Sequence, residues 1–201
     1  MNKQSIVYTM VFTFIVSFVF VLFLSFAHQS TRELVEHHRE LSLQRSVLNA
    51  LGVAATEEEE VRERFAEVEQ VEREGITFYR TEVNGETVYA SLFSGAGLWG
   101  PITGVLAVRA DLERTVGIEI VDQNETPGLG GRITEEWFKE QFRGQRIVDG
   151  TVRVGSPGEG TDDKDDGVVD SVTGATATSK SMERIIDAEI RRIANALGET
   201  L

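Results

Sequence analysis

The chain has 201 residues and carries 20 Lys+Arg against 33 Asp+Glu, a formal net charge of −13. That balance excludes nucleic acid as a partner, because phosphate backbones are held by clustered cations. Cysteine is absent, which excludes disulfides, thiolate nucleophiles, Cys-ligated zinc, iron–sulfur clusters and c-type haem. The three His, at 28, 37 and 38, argue against a multi-His metal site or a Ser/His/Asp triad.

No charged residue lies between Lys3 and His28. Ile6–Ala27 is a 22-residue run holding six of the eleven Phe. At about 1.5 Å per helical residue it reaches across a hydrocarbon core of about 30 Å. It reads as an uncleaved anchor contacting the lipid bilayer. A signal peptide is the rival, since Ser25-Phe26-Ala27 offers a small-x-small site, but the apolar run exceeds the usual roughly 7–15 residues. Lys3 precedes the span while Arg32, Arg39 and Arg45 follow it, so the positive-inside count does not favour a cytoplasmic N-terminus.

Residues 30–54 read as a helix, with Leu34, Leu41, Val47, Leu48 and Leu51 near helical spacing and Gly52 as a stop. Thr56 followed by Glu57–Glu60 reads as a capped start. The stretch to Glu74, with nine Glu and three Arg, reads as a solvated helix face rather than a cation site. Strand periodicity begins at Ile76. Ile76–Val83 and Glu86–Phe93 flank Asn84-Gly85, a strong hairpin signal. Ile102–Val108 and Thr115–Val121 read as two more strands. A turn-rich stretch occupies 124–132, Thr134–Phe142 reads as a short helix stopped at Gly144, and 150–168 reads as Gly/Asp-rich loop. Met182, Ile186, Ile190, Ile193 and Leu197 line one face of a final helix, Ser179–Leu197, ended by Gly198. This order predicts an α+β fold: one transmembrane helix, then a domain with a mostly antiparallel sheet and flanking helices.

Several motifs lack their context. Gly95–Gly100 matches G-x-G-x-x-G, but Pro101 and a strand follow where a helix is required. Asp162–Asp170 resembles a calcium loop, yet Lys164 stands where a ligand belongs and Thr173 replaces the closing Glu. Asn124-Glu125-Thr126 is a formal glycosylation triplet, but Pro follows and a turn explains it.

One stretch keeps its context. Asp170–Ser179 packs five hydroxyls, with Gly174 and Ala175, directly before the last helix. Thr178 or Ser179 as an N-cap explains one hydroxyl. A phosphate at the helix N-terminus accounts for more, with Lys180 and Arg184 adding local positive charge.

Asp170-x-x-Thr173-Gly174-Ala175-Thr176 resembles the covalent flavinylation motif of the FMN-binding domain family. In that family the final Thr carries FMN through a phosphoester, placed by a flavin transferase. The resemblance therefore implies Thr176 as the attachment residue, with Asp170, Ser171, Thr173, Gly174, Ala175 and Thr178 around it. Glu125, Thr126, Pro127, Gly128, Leu129 and Gly130 are similar to the Glu-Thr-Pro-Gly-Leu-Gly loop of the NqrC-type subunits of sodium-translocating NADH:quinone reductases. Gly97-Leu98-Trp99 resembles their Gly-Leu-Trp segment, implying Leu98 and Trp99 at the flavin; a place in the ordinary core is the alternative. Order and spacing agree, over about residues 76–196.

The resemblance implies an electron-transfer subunit that is not catalytic alone. It implies other membrane subunits of the redox complex as partners and an inner-membrane location with the soluble domain on the periplasmic side. The implied division is a cytoplasmic tip and anchor at 1–27, a helical membrane-proximal region at 28–75 and the FMN-binding domain at 76–201. Gly100-Pro101 resembles instead the G subunit of the Rnf ferredoxin:NAD oxidoreductase complex, the alternative assembly. A non-redox anchored module binding an anionic ligand at 170–179 is the alternative of another class.

Overall fold

The computed structural model describes residues 6–160 and 163–199. Lys3, the tip before Ile6, Asp162 of the calcium-like loop and the terminal Leu201 lie outside the described residues. The chain divides after Glu40 into two compact units.

Helix α1 runs unbroken over Ile6–Ala50, where the sequence suggested a span and a separate helix. The reason is local: no Gly or Pro occurs before Gly52, so nothing stops propagation. Ile6–Arg32 is long and apolar enough to cross a membrane. The expected stop holds. Gly52 adopts φ +79°, its N–H reaches Asn49 O at 3.0 Å, and Val53 N–H reaches Leu48 O at 2.9 Å.

Helix α2, Glu58–Ala66, begins one residue after Glu57, with no side-chain cap. Thr56 does not cap it. The Thr56 N–H instead donates to the Glu60 carboxylate at 3.1 Å. The glutamate-rich helix expected up to Glu74 ends early, because Glu69–Arg73 forms strand β1. Pairing overrides propensity here: β1 lies antiparallel to β2, Ile76–Val83, around Glu74-Gly75 (φ +50° and +74°), and Arg80 bonds Glu69 at 2.8 Å.

Strands β3 (Glu86–Ala96), β4 (Pro101–Arg109) and β5 (Thr115–Asp122) complete a five-stranded antiparallel meander in chain order. Asn84 and Gly85, at φ +53° and +83°, supply the hairpin turn read from the sequence. Alternate residues feed two cores. On one face Phe78, Tyr89, Phe93, Ile102 and Leu106 pack with Met182, Ile186, Ile190 and Ile193. On the other, Tyr79, Val88, Ala90, Val105 and Ala107 pack with Val47, Leu48, Leu51 and Val61. Burial on both faces explains the unbroken apolar run Val105–Val108.

A 3-10 turn, Gly130–Thr134, leads into helix α3, Glu136–Glu140, shorter than the Thr134–Phe142 expected. The loop expected at 150–168 contains strand β6, Arg153–Gly155, parallel to β7, Val168–Asp170. Helix α4 spans Thr176–Leu197, three residues longer at its start than expected, and ends at Gly198 in the left-handed region. The fold is α+β, an apolar N-terminal helix followed by an antiparallel-sheet domain with flanking helices.

Candidate functional site around the N-terminus of α4

The first turn of α4 carries neither a side-chain cap nor an acidic residue. The hydroxyls expected to cap it are engaged elsewhere. Ser179 Oγ accepts the Val172 N–H at 3.1 Å, and Thr178 Oγ1 donates to Glu125 Oε2 at 2.5 Å. Both side chains are buried, whereas Thr176, the first helical residue, is exposed. The helix N-terminus thus offers an exposed hydroxyl within the positive end of the dipole. Lys180 and Arg184 are exposed one and two turns further on.

Glu125 ties three separate segments together. Its Oε1 accepts the N–H groups of Leu98 (2.8 Å) and Trp99 (3.1 Å), while Oε2 accepts the Thr178 hydroxyl. The carboxylate is 4% exposed, and all three partners are neutral donors. Gly97–Gly100 is therefore the β3–β4 hairpin turn, closed by Gly97 N–H to Gly100 O at 2.8 Å. Glycine is required around this clasp. A Cβ on Gly97 would stand 2.5 Å from Glu125 Oε1, and one on Gly130 would stand 2.4 Å from Thr178 Oγ1. Gly174 adopts φ +79°, and its Cβ position lies 3.3 Å from Leu129 Cδ2, so the two loops touch.

The apolar side chains of these turns face solvent: Leu98 is 55% exposed, Trp99 70% and Leu129 45%. None of the three belongs to the core. Thr126, Pro127 and Gly128 are exposed on the same loop. Asp170 turns to its own loop, where its carboxylate accepts the Gly160 N–H at 2.6 Å. Ser171 and Ala175 are buried, while Thr173 and Gly174 are exposed. Two shallow depressions adjoin the segment. One, of about 550 Å³, is bordered by Leu98, Ala177, Lys180 and Arg184. The other, of about 250 Å³, is bordered by Ser171, Thr173, Arg132 and Trp137.

Arg132 and Trp137 are neighbours that the sequence reading missed. The Arg132 guanidinium lies 5.3 Å from the Trp137 ring centroid and bonds Glu135 at 3.1 Å. That bond, with one from the Trp137 indole, holds the Glu135 carboxyl below the usual range. Only the 3-10 turn brings the pair to the motif, so no spacing signal existed; an exposed Trp in a polar helix was the one available cue.

The calcium-like loop is organised by protein donors. Asp165 pairs with Arg114, and Asp166 Oδ1 accepts Gln145 Nε2 and the Val168 N–H, each at 2.8 Å. Among the described residues no cluster of His, Asp and Glu is arranged to hold a metal ion.

These features suit the phosphate and ring of FMN: an uncapped helix N-terminus for the anion, backbone without Cβ at Gly174, and exposed apolar side chains beside it.

Residues 97–190 match the family model of the FMN-binding domain. The NqrC-type subunit of the Na(+)-translocating NADH-quinone reductase of Pasteurella multocida is 33% identical over 124 residues, 61% of this chain and 44% of that protein. Its counterpart from Chlamydia pneumoniae is 49% identical over 63 residues, 30% of this chain and 20% of that protein. The matched regions thus span less than half the length of these curated relatives. The crystal structure of the corresponding Na(+)-translocating NADH-quinone reductase protein from Parabacteroides distasonis superposes with a TM-score of 0.70 at 24% identity, covering 85% of this chain and 98% of that one. Shewanella oneidensis NqrC gives 0.67 at 22%, covering 80% and 97%. Both share the fold.

Proposed function

We propose that this chain is the membrane-anchored electron-transfer subunit of a sodium-translocating NADH:quinone reductase, carrying FMN on Thr176 through a phosphoester. The observation behind this reading is the clasp at Glu125, which gathers the Gly-Leu-Trp turn, the Glu-Thr-Pro-Gly-Leu-Gly loop and the first turn of α4 around one exposed hydroxyl. Residues 1–27 form the cytoplasmic tip and anchor, 28–75 the membrane-proximal region and 76–201 the FMN-binding domain. The domain faces the periplasm. Its partners are the other membrane subunits, the flavin transferase and the bilayer.

Bound FMN supplies one- and two-electron transfer, and that redox chemistry belongs to the cofactor. The chain supplies position and electrostatics. Thr176 Oγ1 bears the phosphoester, and the N–H groups opening α4 favour the phosphate charge. Lys180 and Arg184 add a local positive field to a chain of net charge −13. Leu98, Trp99 and Leu129, exposed beside the motif, would offer the ring apolar contacts. Glu125 fixes the turn that carries Leu98 and Trp99. A G subunit of an Rnf complex is the second reading, carried by Gly100-Pro101 at the start of β4.

The test is co-expression with a flavin transferase, followed by a denaturing gel viewed under ultraviolet light. A fluorescent band that Thr176→Ala abolishes supports the reading. A dark wild-type band refutes covalent flavin. Pull-down of neighbouring subunits separates the two complexes, and a reporter fused after residue 201 reads the side of the membrane.

A further inference from the structure

Strand β3 outruns its neighbour. Its pairing with β2 ends at Phe78↔Ser91, whereas its pairing with β4 continues to Ala96↔Pro101. Residues 94–96 therefore have a strand on one side only. Gly97 bonds Gly100 across the β3–β4 turn, so the odd-numbered residues aim their main-chain groups at β4. The N–H and C=O groups of Ser94 and Ala96 then aim away, along the open edge. Leu92 O, also on that side, accepts the Arg192 guanidinium at 2.7 Å.

Beyond Leu92, whose carbonyl Arg192 covers, this edge lacks the usual protection. Its outward residues, Ser94 and Ala96, include no charge and no proline, although edges of this kind are ordinarily blunted by one or the other. Both are exposed. Beside the edge runs a groove of about 830 Å³, walled by Arg184, Ile185, Ala188 and Arg192 of α4. The helix is seated tightly behind it: a Cβ on Gly95 would meet Ile185 Cγ1 at 2.4 Å.

The groove's charge selects the occupant. Among the described residues its one acidic side chain, Glu189, is buried and neutralised by Arg192 at 2.6 Å, with Ser91 Oγ also donating to it at 2.5 Å. Arg184 bonds Ser181 Oγ and a backbone carbonyl, neither of which cancels its charge. Among the described residues that line the groove, Arg184 is thus the one uncompensated charge, a positive one on a chain whose net charge is −13.

We propose that the open edge of β3 at 94–96 is a docking site for an extended acidic segment of a partner protein, added to the sheet as a strand where β2 stops. Main-chain bonds to Ser94 and Ala96 supply affinity, and acidic side chains facing Arg184 supply selectivity. Ser94 and Ala96 belong to this site alone, whereas Arg184 also borders the depression beside Thr176, so Ser94→Pro is the variant that separates docking from flavin attachment. It adjoins the Gly97–Gly100 turn, so a docked partner lies next to the proposed cofactor end.

The test uses the full chain in detergent micelles and a fluorescein-labelled peptide of alternating glutamate and valine, with a lysine–valine peptide as control. The acidic peptide should bind saturably, more weakly at high salt, and should slow amide exchange at Ser94 and Ala96. Ser94→Pro removes an outward N–H without touching the β4 ladder and should weaken binding at least about tenfold. Arg184→Glu, with the edge intact, should weaken the acidic peptide and strengthen the lysine peptide. Circular dichroism establishes that both variants fold; should Ser94→Pro misfold, Ser94→N-methylalanine in semisynthetic protein replaces it. Equal binding of both peptides, or binding unchanged by both variants, overturns the proposal. Concentration-dependent self-association abolished by Ser94→Pro overturns it in favour of a second copy.

Discussion

Replacing Glu125 with Ala should destabilise the domain by about 3 kcal/mol, built from three hydrogen bonds to one buried carboxylate. The Leu98 and Trp99 N–H groups, at 2.8 and 3.1 Å, sit in a surface turn where water can replace the lost acceptor. Each loss there costs about 0.5–1 kcal/mol. The Thr178 hydroxyl is different, because it is 1% exposed and gains no water when its partner goes. Stranding it costs about 1–3 kcal/mol. Relief of the carboxylate's own desolvation offsets part of the sum. Urea unfolding of the full chain in micelles, followed by the fluorescence of Trp99 and Trp137, reads the result. With a slope of about 2–3 kcal/mol per molar, the midpoint should fall by about 1 M. Glu125→Gln should recover most of the loss, since its amide oxygen accepts from the turn and its NH₂ donates to Thr178. A midpoint shift under about 0.3 M for Glu125→Ala would refute the clasp as the element holding the three segments together.

Other substitutions probe the same reasoning. Gly130→Ala places a Cβ 2.4 Å from Thr178 Oγ1 and should cost about 1–3 kcal/mol in the same assay, with less flavin retained on the gel. Lys139→Met removes the cation bonded to the buried Glu119 at 3.0 Å and should cost about 3 kcal/mol by chemical denaturation. Asp187 has its carboxyl raised above the usual range by burial first, opposed by the hydroxyl of Thr151, with nearby Glu183 adding to the rise. Its ionisation therefore opposes folding. The relative stability is fully present below the unfolded value of 3.8 and is lost as pH rises through the raised folded value. Asp187→Asn should accordingly stabilise the domain at neutral pH, with the gain vanishing in acid; equal midpoints at both pH values would contradict this.

The strands, their hairpin and the stop at Gly52 were legible because each rests on local chemistry: alternation, an Asn-Gly pair able to take positive φ, and a glycine at a helix end. The start of α4 was misread by three residues because Thr178 and Ser179 looked like caps. Their hydroxyls are used instead by Glu125 and Val172, and neither link has a sequence spacing that announces it. Strand β1 was hidden by its glutamates, which suit a helix until β2 offers a ladder. Strands β6 and β7 were hidden because three residues each is too short for a period to show.

By itself, then, the sequence determined the apolar N-terminal helix, the α+β class and a hydroxyl-rich stretch suited to an anion before the last helix, because composition, periodicity and a contiguous motif are properties of neighbours along the chain. The tertiary structure alone decided that Glu125 turns inward to hold two other segments, that Leu98 and Trp99 face outward rather than into the core, and that β3 runs on past β2 to leave an open edge. Those outcomes depend on which distant groups share a cavity or a ladder, and hydrogen bonds between residues 27 or 53 positions apart leave no local trace.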